Sequence, residues 1–233
     1  IVNPFSKRSD VIFDNPWVFK VQPSFYGQLS TMVDYLATTY PDANYFLVMH
    51  NKTRDQDTLA FLKENLLARM YRELQPDAGA TDSLAAARRV TEWLYYQDGI
   101  SGLREKLSTQ NDNILLCVST QRAFVASVMS NLHGLASDYK ITMIGMPQWM
   151  DYEMDIDYAM KLKLHLFSPE FVDYTDPKVK QFIIRYRYQY EGEPVPEKHA
   201  YEGYDITYYF LRALMQFGPE FTRCLRYLSY EGL

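Results

Sequence analysis

Apolar residues recur along this chain with two different periods. Ile114–Val118 is a short unbroken apolar run rich in branched residues, and Ile141–Gly145 is a second. Between them Phe124, Val125, Val128, Met129, Leu132 and Leu135 recur at helical spacing. Strand, helix, strand is a βαβ unit, and unbroken apolar runs suit parallel strands buried on both faces. Ser119 and Thr120 stand between the first strand and the helix, where either can cap the free amides. Gly134 is placed to stop the helix.

The alternation extends both ways. Ile1–Ser6 reads as the end of a strand and a loop, Asn15 and Pro16 as a turn, and Val18–Val21 as a short extended piece. From Ser24 a helix carries Tyr26, Leu29, Met32, Val33, Leu36 and Tyr40 on one stripe, and Pro41 ends it. Asn44–Met49 is a buried strand, followed by His50 and Asn51. A helix from about Asp57 to Glu73 aligns Leu59, Leu62, Leu66 and Met70, with a loop over Gln75–Thr81 and a short helix over Ser83–Arg89. Val90–Tyr96 reads as a second strand, although Glu92 and Trp93 fit a helix almost as well. Gly99–Leu107 is a helix with Ile100, Leu103 and Leu107 facing inward.

Beyond Trp149 an acidic loop, Asp151–Asp157, precedes a fifth strand of alternating type, Met160–Phe167. Asp176 and Pro177 open a helix through about Tyr190, since proline suits a first turn. A last helix, His199–Phe217, aligns Tyr201, Tyr204, Tyr208, Leu211 and Met215, and a short amphipathic tail covers Phe221–Leu228.

Five β-then-α segments with short connections predict an α/β fold. Its core is a doubly wound parallel sheet of order 2-1-3-4-5 with helices on both faces. Asn44–Met49 and Ile114–Val118 lie adjacent at its centre, so the switch point falls between them. Ligands of such sheets bind beyond the carboxyl ends of the strands at that point. That brings together His50, Asn51, Ser119, Thr120 and Gln121, with Gln148 and Trp149 on the same rim. Hydroxyls and free helix amides there suit a polar ligand; Trp149 offers either a stacking surface or hinge packing.

Composition narrows the function classes. Lys+Arg 24 against Asp+Glu 29 gives a formal net charge of −5, which argues against nucleic acid or an anionic membrane as partner. Apolar residues make up 47% of the 233, enough for a real core, but no run of 18 apolar residues predicts a membrane span. The 20 Tyr and 13 Phe serve mostly the core and its rim. Cys117 sits inside a predicted buried strand, so a disulfide to Cys224 is not expected. No phosphate-binding glycine loop, no G-x-S-x-G and no H-E-x-x-H occurs, so no cofactor, metal or enzyme activity is expected. Asp151, Glu153, Asp155 and Asp157 lack the glycine and glutamate of a calcium loop, since Ile156 and Leu162 stand there. Ile1 is not an initiator Met and no signal-peptide core follows, so the chain reads as a fragment with its opening segment upstream.

Several stretches together resemble the type I periplasmic binding proteins, of the leucine/isoleucine/valine-binding kind. They are VNPFS, NPWVFKVQPS before a helix, NYFLVMHN, NILLCVSTQRAFVASVMSNL, ITMIGMPQW and FIIRYRYQYEGEPVPEKHAYEGYDITYYFLRAL. The last is the most specific, with its F-x-x-x-Y, proline and A-x-x-G-Y-D pattern. The resemblance implies two α/β lobes that clamp a small solute in an interlobe cleft and move about hinge crossings. Residues 1–23 would then end the first lobe and make one hinge crossing. Residues 24–168 would form the second lobe, and 169–233 the helices returning toward the first. Ser6 joins the candidate ligand-contacting residues. The implied role is a non-catalytic solute-binding or sensing module of the bacterial cell envelope or periplasm. Its ligand would be an amino acid, a peptide or a muropeptide-like solute. The Tyr-rich, Gly-poor character also resembles divergent envelope members that bind a protein partner and govern cell-wall synthesis without a small ligand. Ser119 and Thr120 would be the second lobe's share of an amino-acid site. The last two helices, lacking a partner here, would pack elsewhere or form a homodimer.

Overall fold

The computed structural model describes residues 2–3, 15, 17–50, 55–73, 88–168, 171–195, 199–230 and 232–233. These divide into two compact units, one of residues 1–25 with 169–233 and the other of residues 26–168.

The second unit holds the sheet. α1 is Phe25–Thr39, β3 Asn44–Met49, α2 Gln56–Glu73, β4 Val90–Leu94, α3 Tyr95–Arg104 and β5 Asn113–Leu116; β1 and β2 belong to the other unit, below. α4 is Arg122–His133, β6 Ile141–Gly145, α5 Ile156–Lys161 and β7 His165–Leu166. The five strands lie in the order β4-β3-β5-β6-β7, and every pairing is parallel. Counted from β3 this is 2-1-3-4-5, the predicted order. Tyr45 faces Ile114 across β3 and β5, and Ile114 faces Thr142 across β5 and β6. Successive strand residues point to opposite faces. Tyr45–Met49, Asn113–Leu116 and Ile141–Gly145 are all buried, so both faces of the sheet are covered.

The helices contribute the stripes their spacing predicts: Leu29, Met32, Val33 and Leu36 from α1; Leu59, Leu62, Leu66 and Met70 from α2; Phe124, Val125, Val128, Met129 and Leu132 from α4. Two buried polar side chains anchor the strands through hydrogen bonds. The Tyr45 hydroxyl reaches the Leu36 and Tyr40 carbonyls at 3.0 and 2.9 Å, at the open end of α1. Asn113 Oδ1 accepts from the Ser108 amide at 2.9 Å, and its Nδ2 donates to the Ser108 and Lys140 carbonyls, which fixes the start of β5.

Several expectations are corrected. β4 stops at Leu94 rather than Tyr96, because Asp98 Oδ2 accepts from the Leu94 amide and turns the chain into α3. α3 kinks at Gly99, whose φ of 62° and ψ of −173° suit glycine alone, and Ile100 beyond the kink is exposed rather than inward. Met160 is not in a strand: Asp155 caps α5 by accepting from the Asp157 amide at 2.9 Å, and strand pairing begins only at His165. Gly134 does end α4 where the sequence places the stop, in right-handed geometry. The Gln75–Thr81 loop and nearly all of the Ser83–Arg89 helix lie outside the described residues.

In the other unit β1, Val2–Asn3, pairs in parallel with β2, Phe19–Lys20. α6 is Pro177–Tyr190, capped by the Asp176 carboxylate on the Lys178 amide at 2.6 Å, with Pro177 in its first turn as the sequence predicts. α7 is Ala200–Phe217. Of its predicted stripe only Tyr201 is buried; Tyr204, Tyr208, Leu211 and Met215 are exposed.

Candidate functional site

The carboxyl ends of the central strands form one rim of the second unit. His50 follows β3, Tyr95 and Tyr96 follow β4, Ser119–Gln121 follow β5, and a 3₁₀ turn, Pro147–Asp151, follows β6. The switch point lies between β3 and β5, whose onward connections lead to opposite sides of the sheet.

On one side of that point the rim is aromatic. The His50 ring meets Phe124 edge-on at 4.7 Å between centroids and Tyr96 at 5.2 Å. Tyr95 packs against both Tyr96 and Phe124. Its hydroxyl lies 2.6 Å from Ser127 Oγ and accepts from Asn131 Nδ2, so Tyr95 is fixed by α4. Tyr96, 66% exposed, is the ring of this cluster that faces solvent. His50 Nδ1 is buried and has no hydrogen-bond partner among the described residues.

On the other side the rim is polar and tightly tied. Three bonds bind the turn after β5 to the turn after β6. Trp149 Nε1 donates to the Ser119 carbonyl at 2.8 Å, the Tyr152 hydroxyl to the Thr120 carbonyl at 2.6 Å, and Arg122 Nη2 to the Asp151 carbonyl at 3.2 Å. The Arg122 guanidinium also lies over the Tyr152 ring, 5.1 Å from its centre. Ser119 is buried and its Oγ accepts from the Gln121 amide at 3.2 Å, one residue before α4 begins. Gln121 is the N-cap, and no side chain caps α4. Neither Ser119 nor Thr120 therefore caps the helix, contrary to expectation. Thr120 and Gln148 are exposed and Gln121 is half-buried.

Trp149 is corrected from rim surface to core. It is fully buried, and its ring fills the space beside Gly145, where a Cβ would stand 2.3 Å from Trp149 Cε3. No ligand stacks on it in this arrangement; it positions the Ser119 turn. Asn51 and Ser6 lie outside the described residues. Tyr96, Tyr152 and Arg122 are rim residues that sequence reading missed. A strand carried through to Tyr96 hid the first, and the other two are visible only once the turns after β5 and β6 meet.

The rim offers hydrogen-bond donors and an aromatic edge. Among the described residues of the rim no nucleophile stands beside a base: Ser119 Oγ is engaged in its turn, and burial pushes the Cys117 thiol up to about 12, so it stays protonated. Among the described residues no group of three His, Cys, Asp or Glu side chains is placed to hold a metal ion, and no helix is long and apolar enough to cross a membrane.

No family model and no curated protein matches the sequence. Solved structures do. An ABC transporter substrate-binding protein from Desulfitobacterium hafniense superposes with a TM-score of 0.52 at 16% identity, over 99% of this chain and 63% of that one. A structure from the same organism titled as its complex with Leu matches with a TM-score of 0.52 at 17% identity, over the same shares. The leucine-binding protein LivK from Thermotoga maritima aligns at 14% identity over 97% of this chain and 61% of that one, with a TM-score of 0.45. The fold is therefore that of the D. hafniense substrate-binding protein, and this chain spans 63% of its length.

Proposed function

We propose that the chain is a non-catalytic solute-binding module of the bacterial cell envelope and that its second unit supplies one wall of the ligand site. The observation that carries this reading is the pairing of two features at the switch point. One is the uncapped amino end of α4 beside the polar groups of Thr120 and Gln121; the other is the exposed aromatic edge of Tyr96 next to His50. Helix amides and a hydroxyl suit a carboxylate or amide, and a ring edge suits an apolar side chain. A small amino acid, a short peptide or a muropeptide-like solute carries both. The D. hafniense structure with Leu makes leucine the first solute to try.

Thermal denaturation against a panel of amino acids, short peptides and muropeptides tests the proposal. A true ligand at a hundredfold excess over Kd stabilises by about 2.7 kcal/mol. Tyr96→Ala should cut affinity at least tenfold while leaving the Tm of the unliganded protein nearly unchanged. No stabilisation by any solute sinks the reading. The exposed aromatic face of α7 favours the second reading, a protein-interaction module on the same fold, and that outcome would turn attention to it.

A further inference from the structure

Tyr96 owes its place at the rim to a single turn of helix. Residues 95–98 make that turn directly after β4, and the kink at Gly99 cuts it off from the rest of α3. One turn has too few internal hydrogen bonds to hold itself. Its position is therefore set by three contacts with its surroundings. Asp98 Oδ2 accepts from the Leu94 amide at 3.1 Å and closes the turn on the end of the strand. Trp93 Nε1 donates to the Gly99 carbonyl at 2.9 Å, and Trp93 is fully buried, so the far end of the turn is tied to the core. The third contact reaches another element. The Tyr95 hydroxyl lies 2.6 Å from Ser127 Oγ and accepts from Asn131 Nδ2, two α4 residues one helical turn apart.

Stacked rings carry this constraint outward. Trp93 meets Tyr95 at 5.3 Å between centroids, and Tyr95 meets Tyr96 at 5.0 Å, nearly edge-on. Tyr96 lies 5.2 Å from His50 and 6.1 Å from Phe124, which stands in the first turn of α4. A tyrosine has only two side-chain torsions, so a fixed backbone and fixed ring neighbours leave it little freedom. The Tyr95 ring fills its buried place as a phenylalanine would. What its hydroxyl adds is direction, because it registers the turn against α4, the helix whose amino end borders the polar part of the rim.

We propose that Tyr95 and Asp98 are positioning residues of the rim: together they lock the turn of residues 95–98 so that the Tyr96 ring stands ready for the apolar group of a solute. This rests on the reading of the rim as one wall of a solute site, and it says how that wall selects. The ring is in place before a solute arrives, so binding bears no cost of ordering it. Its separation from the amino end of α4 is fixed as well, so a solute whose apolar and polar groups are spaced differently loses one of the two contacts.

The His50 imidazole reports the Tyr96 ring, because aromatic ring currents displace the resonance of a proton held beside them. The chain has four histidines, so the spectrum of carbon-13 histidine-labelled protein is simple, and the signal lost in His50→Gln is assigned to His50. Spectra are compared at a fixed pH of about 8, above the usual range of histidine titration. Tyr96→Ala marks where that signal goes when the ring is absent. Tyr95→Phe and Asp98→Ala should each move it toward that position, while the signal of His133, at the carboxyl end of α4, stays in place. Tyr95→Phe keeps the buried ring, so its Tm should stay near that of the wild type. A His50 signal that does not move in either variant overturns the proposal. So does a matching displacement of His133, which would mean that α4 as a whole had loosened. This readout needs no solute, so a failure here is told apart from a failure of the solute reading. Leucine, as the probe, should bind Tyr95→Phe several-fold more weakly than the wild type, and equal affinity overturns the positioning role.

Discussion

Gly145 and Trp149 show how single side chains set the rim. A methyl group at residue 145 would stand 2.3 and 2.5 Å from two Trp149 ring carbons and 2.9 Å from Leu166 Cδ2. The indole has nowhere to go, since it is fully buried and its Nε1 is held by the Ser119 carbonyl. Gly145→Ala should cost about 1 to 3 kcal/mol, the usual range for overpacking, read as a fall in the denaturation midpoint. If Tm holds, the ring is looser than its burial indicates. Both cysteines are free, but they differ in reach. Cys117 is buried and its thiol is pushed up to about 12, whereas Cys224 is half-buried with its thiol in a tail of 3₁₀ turns. A thiol reagent at neutral pH should modify Cys224 alone in the native protein and both after denaturation. Modification of Cys117 without unfolding would show that the centre of the sheet opens.

Among the elements, those with an unbroken apolar run or a full helical stripe were legible in the sequence. Asn44–Met49 and Ile141–Gly145 begin and end where predicted, and α2 and α4 bury the residues their periodicity names. What escaped was decided by local hydrogen bonds that apolar spacing does not report. Asp98 ends β4 by taking the Leu94 amide, and Asp155 starts α5 within the expected acidic loop, so that the helix takes in Met160, where the strand was expected to begin. The candidate rim was legible as a set of strand ends, because topology alone brings His50 near Ser119. The roles of its members were not, since Trp149 and Ser119 are drawn inward by bonds between two turns distant in sequence. One element contact carries a pH signature. His133 on α4 meets Asp157 on α5 at 3.0 Å, and that hydrogen bond, with Lys161 nearby, holds the Asp157 carboxyl below the usual carboxylate range. A depressed folded value means the contribution is present above about pH 4 and is lost as pH falls through the lower folded value. Asp157→Asn should therefore leave stability less steeply dependent on pH on the acid side. An unchanged acid limb in denaturation curves would show that the pair contributes nothing.

At the scale of the molecule, the buried apolar cluster from Leu29 to Leu162 falls wholly within residues 26–168. A chain of those residues alone should fold in one cooperative transition, with far-ultraviolet dichroism of a mixed α/β protein and a sigmoidal urea curve. A broad, non-cooperative curve would show that the first unit supplies part of that core. The all-parallel order also shapes how the protein reaches its native state. β3 sits between β4 and β5, yet β5 ends 67 residues after β3 does. At about 5 to 20 residues per second, a ribosome leaves the second edge of that greasy strand waiting roughly 3 to 13 s for its neighbour. During that interval the nascent polypeptide offers an adhesive ribbon to any passing extended segment. Holdase chaperones and slower growth temperatures should therefore govern yield more than the final stability does.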